Sequence, residues 1–203
     1  YVEPFGMTNK RVHVIGAGWD VCSWRGYIQI YNPASTGTVM EGIRFIGSGS
    51  HNINTLSNVD SLTFRRCLFT AQAGYVPLSL SAGKTFVNDC VLTASTSHCV
   101  YLQTSANRNV VFRNTVFNMT TPVNGYYAIF GSNGGTVEIY NSAFLNFVSA
   151  FNVTGVPQVI GLNNIFWDWN ATATYGTLPV GSVFEYTAAG SGAPTFPASF
   201  TNN

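Results

Sequence analysis

Ionisable side chains are scarce in this chain: nine Lys and Arg and eight Asp and Glu make up 8% of 203 residues, about a third of the usual share. A net charge of +1 offers little to a nucleic-acid backbone or an anionic membrane, and neither is expected as a partner. No apolar run approaches the ~18 residues of a membrane-spanning helix, so no membrane insertion is expected. The opening residues show no leader pattern; because Tyr1 is not a start Met, an upstream region is left open. The four cysteines, Cys22, Cys67, Cys90 and Cys99, include no C-x-x-C pair, which removes support for zinc or thioredoxin-like chemistry. His13, His51 and His98 are isolated, so no metal site and no cofactor is expected.

What the chain does have is a repeat. Val110-Val111-Phe112-Arg113-Asn114-Thr115-Val116-Phe117 returns upstream as Phe64 to Phe69 and Val87 to Leu92, and downstream as Ile139 to Phe144 and Gly161 to Phe166; Met40 to Phe45 fits the same frame. Taking Phe45, Phe69, Leu92, Phe117, Phe144 and Phe166 as register marks gives a period of roughly 22 to 27 residues, the signature of a solenoid. Each unit reads as a short strand, a polar corner, a second strand, a variable loop, a third strand and a turn. Three brief strands with no room for a helix imply parallel stacking of successive coils. Equivalent inward residues then lie one strand spacing apart, about 4.8 Å, and should be alike. The columns Phe64, Val87, Phe112, Ile139 and Phe69, Leu92, Phe117, Phe144, Phe166 meet that test. The corner column Asp89, Asn114, Asn141, Asn163 can hydrogen-bond along itself and to the corner backbone.

These strand-Asn-strand units, Val111 to Phe117 and Ile139 to Phe144 above all, resemble the right-handed parallel β-helix of the pectate-lyase-like superfamily. The fold expected is therefore all-β: a right-handed parallel β-helix (β-solenoid) of about six coils. The whole chain, 1–203, reads as one domain, with repeats over 11–167 and an irregular Gly-, Ala-, Thr- and Ser-rich tail over 168–203 that caps the coil or docks on a neighbour. Trp19, Trp24, Trp167 and Trp169 sit in the loops flanking the first and last coils, expected as covers of open rungs, with contact to another subunit as the alternative. The resemblance further implies, for the enzymes, a carbohydrate groove along one sheet.

Catalysis finds no foothold in the pattern. Glu3, Asp20, Glu41, Asp60, Asp89, Glu138, Asp168 and Glu185 include no neighbouring pair, whereas glycoside hydrolysis needs two carboxyl groups a few ångströms apart. Outward positions expected on the third strands are Gln29, Tyr31, Pro77, Ser79, Tyr101, Gln103, Asn152 and Thr154, none of them an acid or base. No catalytic residue is carried over from the family. For binding, Tyr27, Gln29, Tyr31, Tyr101 and Gln103 form the candidate carbohydrate strip, joined by Tyr75, Tyr126 and Tyr127, because aromatic rings offer broad contact with a polar handle. The competing reading is that tyrosine simply suits a β surface. Arg65, Arg66 and Arg113 could meet an anionic sugar, against a solvated corner paired with Asp89. Cys67 and Cys90 share a column and stack as small apolar groups.

The functional expectation is a non-catalytic extracellular structural or adhesive surface module, able to assemble with itself as a fibre or filament; the alternative is a carbohydrate-active or carbohydrate-binding protein. Low charge, abundant Thr and Asn, and the acceptor-like tripeptides at Asn118, Asn152 and Asn170 support the extracellular assignment.

Overall fold

A computed structural model of the chain describes residues 5–7, 10–47, 51–55, 58–103, 109–132, 135–154, 158–167, 174–185, 187–190 and 200–201. The backbone winds through three parallel sheets of nine, eight and eight strands, a β-solenoid in which about six turns carry the repeat. Helix is confined, among the described residues, to one 3-10 turn at Pro33–Ser35.

Three strands of one middle turn show the plan. Lys84–Asn88 lies in sheet 1, Val91–Ala94 in sheet 2 and Val100–Leu102 in sheet 3. The next turn repeats it with Asn109–Arg113, Val116–Met119 and Tyr127–Ser132, each strand pairing in parallel with its predecessor. The sequence register is the observed one. Phe45, Phe69, Leu92, Phe117, Phe144 and Phe166 stand in one column of sheet 2, each almost wholly buried. Their rings stack rung on rung, Phe117 on Phe144 at 4.7 Å and Phe144 on Phe166 at 4.6 Å between centroids.

Facing them across the interior are Met40, Phe64, Val87, Phe112 and Ile139 from sheet 1 and Ile28, Ile53, Leu78, Val100, Ile129 and Phe151 from sheet 3. Burial of each large side chain contributes about 1.5–3 kcal/mol, so the three columns supply the driving force for winding. Where the sheet 1 column reaches Gly161, the missing side chain is replaced by the neighbouring Phe184 ring, which a Cβ there would meet at 2.2 Å.

The corner between sheets 1 and 2 turns on a single left-handed residue in six successive rungs: Gly42, Arg66, Asp89, Asn114, Asn141 and Asn163, with φ between 49° and 66°. Asn and Asp tolerate this region better than other side chains with a Cβ, which explains why amides fill the column. The amides do bond along it, Asn114 to Asp89 at 2.8 Å and Asn163 to Asn141 at 3.2 Å. The buried backbone of the corner, however, is served by the residue that follows: Thr115 donates to Val87 O at 3.1 Å, Asn164 to Ile139 O at 3.0 Å, and the Ser142 hydroxyl accepts from the Thr115 N–H at 3.2 Å.

The described part of the tail covers the last repeat by winding on. Thr174–Thr177 joins sheet 3, Val183–Glu185 and Phe200–Thr201 join sheet 1, and Ala188–Ala189 joins sheet 2. Phe184 is fully buried and Tyr175 nearly so. Trp169 and the tripeptide beginning at Asn170 lie outside the described residues. Cys67 and Cys90 are buried on adjacent rungs, and all four cysteines are free thiols.

Candidate functional site

Sheet 3 turns an outer face to solvent on which one row reads, rung by rung, Gln29, Asn54, Ser79, Tyr101, Phe130, Asn152 and Thr177. Its first half is a polar network. The Gln103 amide, one residue past the end of its strand, reaches back and donates from Nε2 to both Asn54 Oδ1 and Ser79 Oγ. Asn54 Nδ2 in turn donates to the Tyr27 hydroxyl at 3.2 Å. Gln29 sits beside Asn54 in register. Tyr27, Gln29 and Gln103, expected together on this face, are therefore brought together through Asn54. Tyr31 is half-buried one residue beyond its strand and stands apart from the network.

The second half of the row is aromatic. Phe130 lies parallel to Tyr101 at 5.7 Å, to Tyr127 at 5.8 Å and to His98 at 4.1 Å, while Tyr126 meets His98 edge-on at 5.6 Å. Parallel offset rings at these distances are mutually attractive, and they fix one another's orientation. Beyond Phe130 a recess of about 170 Å³ is lined by Tyr101, Phe130, Gly131, Asn152 and Thr154. Gly131 is required there: at φ 147° a Cβ would run into Leu102 O at 2.2 Å.

His98 belongs to this cluster as a neutral ring. Burial lowers its pKa from the ordinary histidine value to about 4, and its Nδ1 accepts the Tyr127 N–H at 3.1 Å, which leaves the proton on Nε2. The described strands of sheet 3 hold no Asp, Glu, Lys or Arg, so the face carries no charge near neutral pH.

Ser79 takes its expected outward place in the row but is covered, because Gln103 lies over it; Pro77, expected exposed on the same strand, is buried with the rest of Val76–Leu80. Three members of the face carried no sequence signal of their own: Asn54, His98 and Phe130. Loops of unequal length precede their strands, so that Tyr101 stands opposite Phe130 and not opposite Tyr127. Tyr75 lies in the loop before Val76 and takes no part in the ring cluster.

The other candidates disperse. Arg66 pairs with Glu41, and this ion pair holds the Glu41 carboxyl below its ordinary pKa; Asp89 accepts instead from Asn114. Arg65 and Arg113 stand on either side of Asn88 in sheet 1, around a shallow recess of about 320 Å³ that also holds Asp89. Among the described residues no three His, Cys, Asp or Glu gather where they could hold a metal ion.

Comparison of the chain with protein-family models, curated proteins and solved structures finds no match. The class established is thus that of the fold, a three-sheet parallel β-solenoid.

Proposed function

We propose that the protein is a non-catalytic adhesive module of the cell surface or extracellular space that holds an uncharged polysaccharide along the outer face of sheet 3. One observation carries the reading: a row of hydrogen-bonding side chains, Gln29, Asn54 and Ser79 with the Gln103 amide laid over it, runs directly into the rings of Tyr101 and Phe130, flanked by Tyr127 and His98. Sugar rings present apolar faces and equatorial hydroxyls, which call for these two kinds of side chain. Rungs repeat every ~4.8 Å, close to the length of one pyranose unit, so a chain lying along the solenoid axis meets one rung per sugar.

The likeness to the pectate-lyase-like superfamily supports the same face, since the enzymes of that group carry their groove along one sheet. Hydrolysis would need paired carboxylates and elimination a base with clustered acids, and the described strands of sheet 3 hold no Asp, Glu, Lys or Arg. Binding without turnover is what this set of side chains can do.

Titration calorimetry with neutral β-linked oligosaccharides (xylan- and cellulose-derived) beside oligogalacturonate and oligoalginate tests this. The expected result is binding of a neutral oligomer without product release, weakened about tenfold by Tyr101→Ala and by Gln103→Ala, the ~1–1.5 kcal/mol of one ring contact or one hydrogen bond. Absence of binding to every polymer, or depolymerisation of any, would overturn it.

A further inference from the structure

Hydrogen-bonding capacity is spent unevenly along the outer face of sheet 3. In the first half the Gln103 amide donates to Asn54 and Ser79, and Asn54 donates to Tyr27, so these groups answer one another. In the second half Asn152 and Thr154, alternate residues of the strand Ser149–Thr154, make no side-chain hydrogen bond among the described residues. Asn152 is half-buried beside Phe130 in register, and Thr154 is exposed. Both line the recess of about 170 Å³ that Tyr101 and Phe130 also line and to which Gly131 brings backbone alone. Free polar groups converging on an aromatic-walled recess mark a place for a ligand group.

A flat face takes the faces of sugar rings; a recess takes a group that projects from one. The rings of Tyr101 and Phe130 call for an apolar end on that group. The Asn152 amide and the Thr154 hydroxyl each offer a donor and an acceptor. The described strands of sheet 3 hold no Asp, Glu, Lys or Arg, so a carboxylate, a sulfate or a free amine would lose water there without gaining a counter-charge. A hydroxymethyl group brings no apolar end, and an O-acetyl ester brings a methyl and a carbonyl but no donor. An acetamido group brings all three: a methyl for the rings, a carbonyl to accept from Asn152 or Thr154, and an N–H to donate to them.

We infer that the recess is an acetamido subsite and that the polysaccharide held by sheet 3 is built on N-acetylhexosamine units. The assignment rests on the saccharide reading of that face and narrows it; neutral polymers without the group bind the same face more weakly. In a β-1,4-linked chain successive sugars are turned over, so every second acetamido group points to the recess side. One recess is then enough to set the register of the chain.

Titration calorimetry with cellohexaose and with the β-1,4-linked hexamer of N-acetylglucosamine, which differ only in the group at carbon 2, tests this. The 203-residue protein is made in a host that adds no glycan, because Asn152-Val153-Thr154 also fits the acceptor pattern. The parent is expected to bind the acetylated hexamer about tenfold more tightly than cellohexaose, the worth of about one net hydrogen bond. Asn152→Ala is expected to bring the two affinities together, whereas Gln103→Ala, outside the recess, weakens both and keeps their ratio. Thr154→Val, at an exposed position, is expected to lower the ratio too, and carries the comparison if circular dichroism shows Asn152→Ala misfolded. Equal parental affinities overturn the subsite and leave the saccharide reading standing, as does a preference retained by the variant that carries the comparison. Binding of neither hexamer overturns both.

Discussion

Asn114 donates its side-chain amide to the Asp89 carboxylate one rung away at 2.8 Å, and both residues hold a left-handed backbone, at φ 49° and 54°. The bond and the backbone shape are separable contributions to the corner. Asn114→Ala removes both the ladder bond and the tolerance for positive φ, and should cost about 1–2 kcal/mol. Asn114→Gly removes only the bond and should cost less. Urea melts of the two variants check the order; equal losses would mean that backbone conformation contributes nothing at this corner.

Phe117 stacks between neighbours in the sheet 2 column and touches Phe112 edge-on at 5.1 Å. Phe117→Ala should lower stability by about 3–5 kcal/mol, and Phe117→Asp should prevent the middle coils from folding, since a carboxylate would enter the apolar stack. Thermal melts followed at the β-sheet signal read both effects.

Gly161→Ala should loosen the last turns selectively. Its Cβ would stand 2.2 Å from the Phe184 ring, and the ring must leave the interior to relieve the clash. Hydrogen exchange should rise over 159–167 and 183–185, with the middle rungs unchanged; uniform loss of protection would show that the turns do not open separately.

Stability should fall on acidification through His98. Its folded pKa of about 4 lies below the ordinary histidine value of 6.5, so the unfolded chain takes up the proton first. The contribution is fully present above pH 6.5 and is lost as pH falls toward 4, on the order of 1–2 kcal/mol once partial solvent exposure is allowed for. Burial lowers the His51 pKa as well, which adds in the same direction. His98→Phe should flatten the decline in this window; a variant with the parental pH profile would place its cause elsewhere.

The columns were legible because inward residues must match the rung above and below, and a row such as Phe117, Phe144, Phe166 records that demand directly. The corner was legible because left-handed backbone selects Asn and Asp. On sheet 3, Tyr27, Gln29 and Gln103 were found, but the residue that links them, Asn54, and the ring on which the aromatic cluster centres, Phe130, were not. Outer residues are free of the matching rule, and their alignment depends on loop lengths that no local pattern sets. The added turn, described over 174–185 and 187–190, escaped for a related reason: Gly161 interrupts the sheet 1 column, and Phe184 fills the interior from one rung further on.

The claim that sheet 3 receives the saccharide is tested most directly by backbone amide chemical shifts during titration with a neutral β-linked hexasaccharide. The account predicts saturable shifts at Asn54, Tyr101, Gln103, Phe130 and Asn152, with Val91, Val116 and Ala143 on the outer face of sheet 2 unmoved. Shifts confined to sheet 2, or no shift at millimolar ligand, would contradict it.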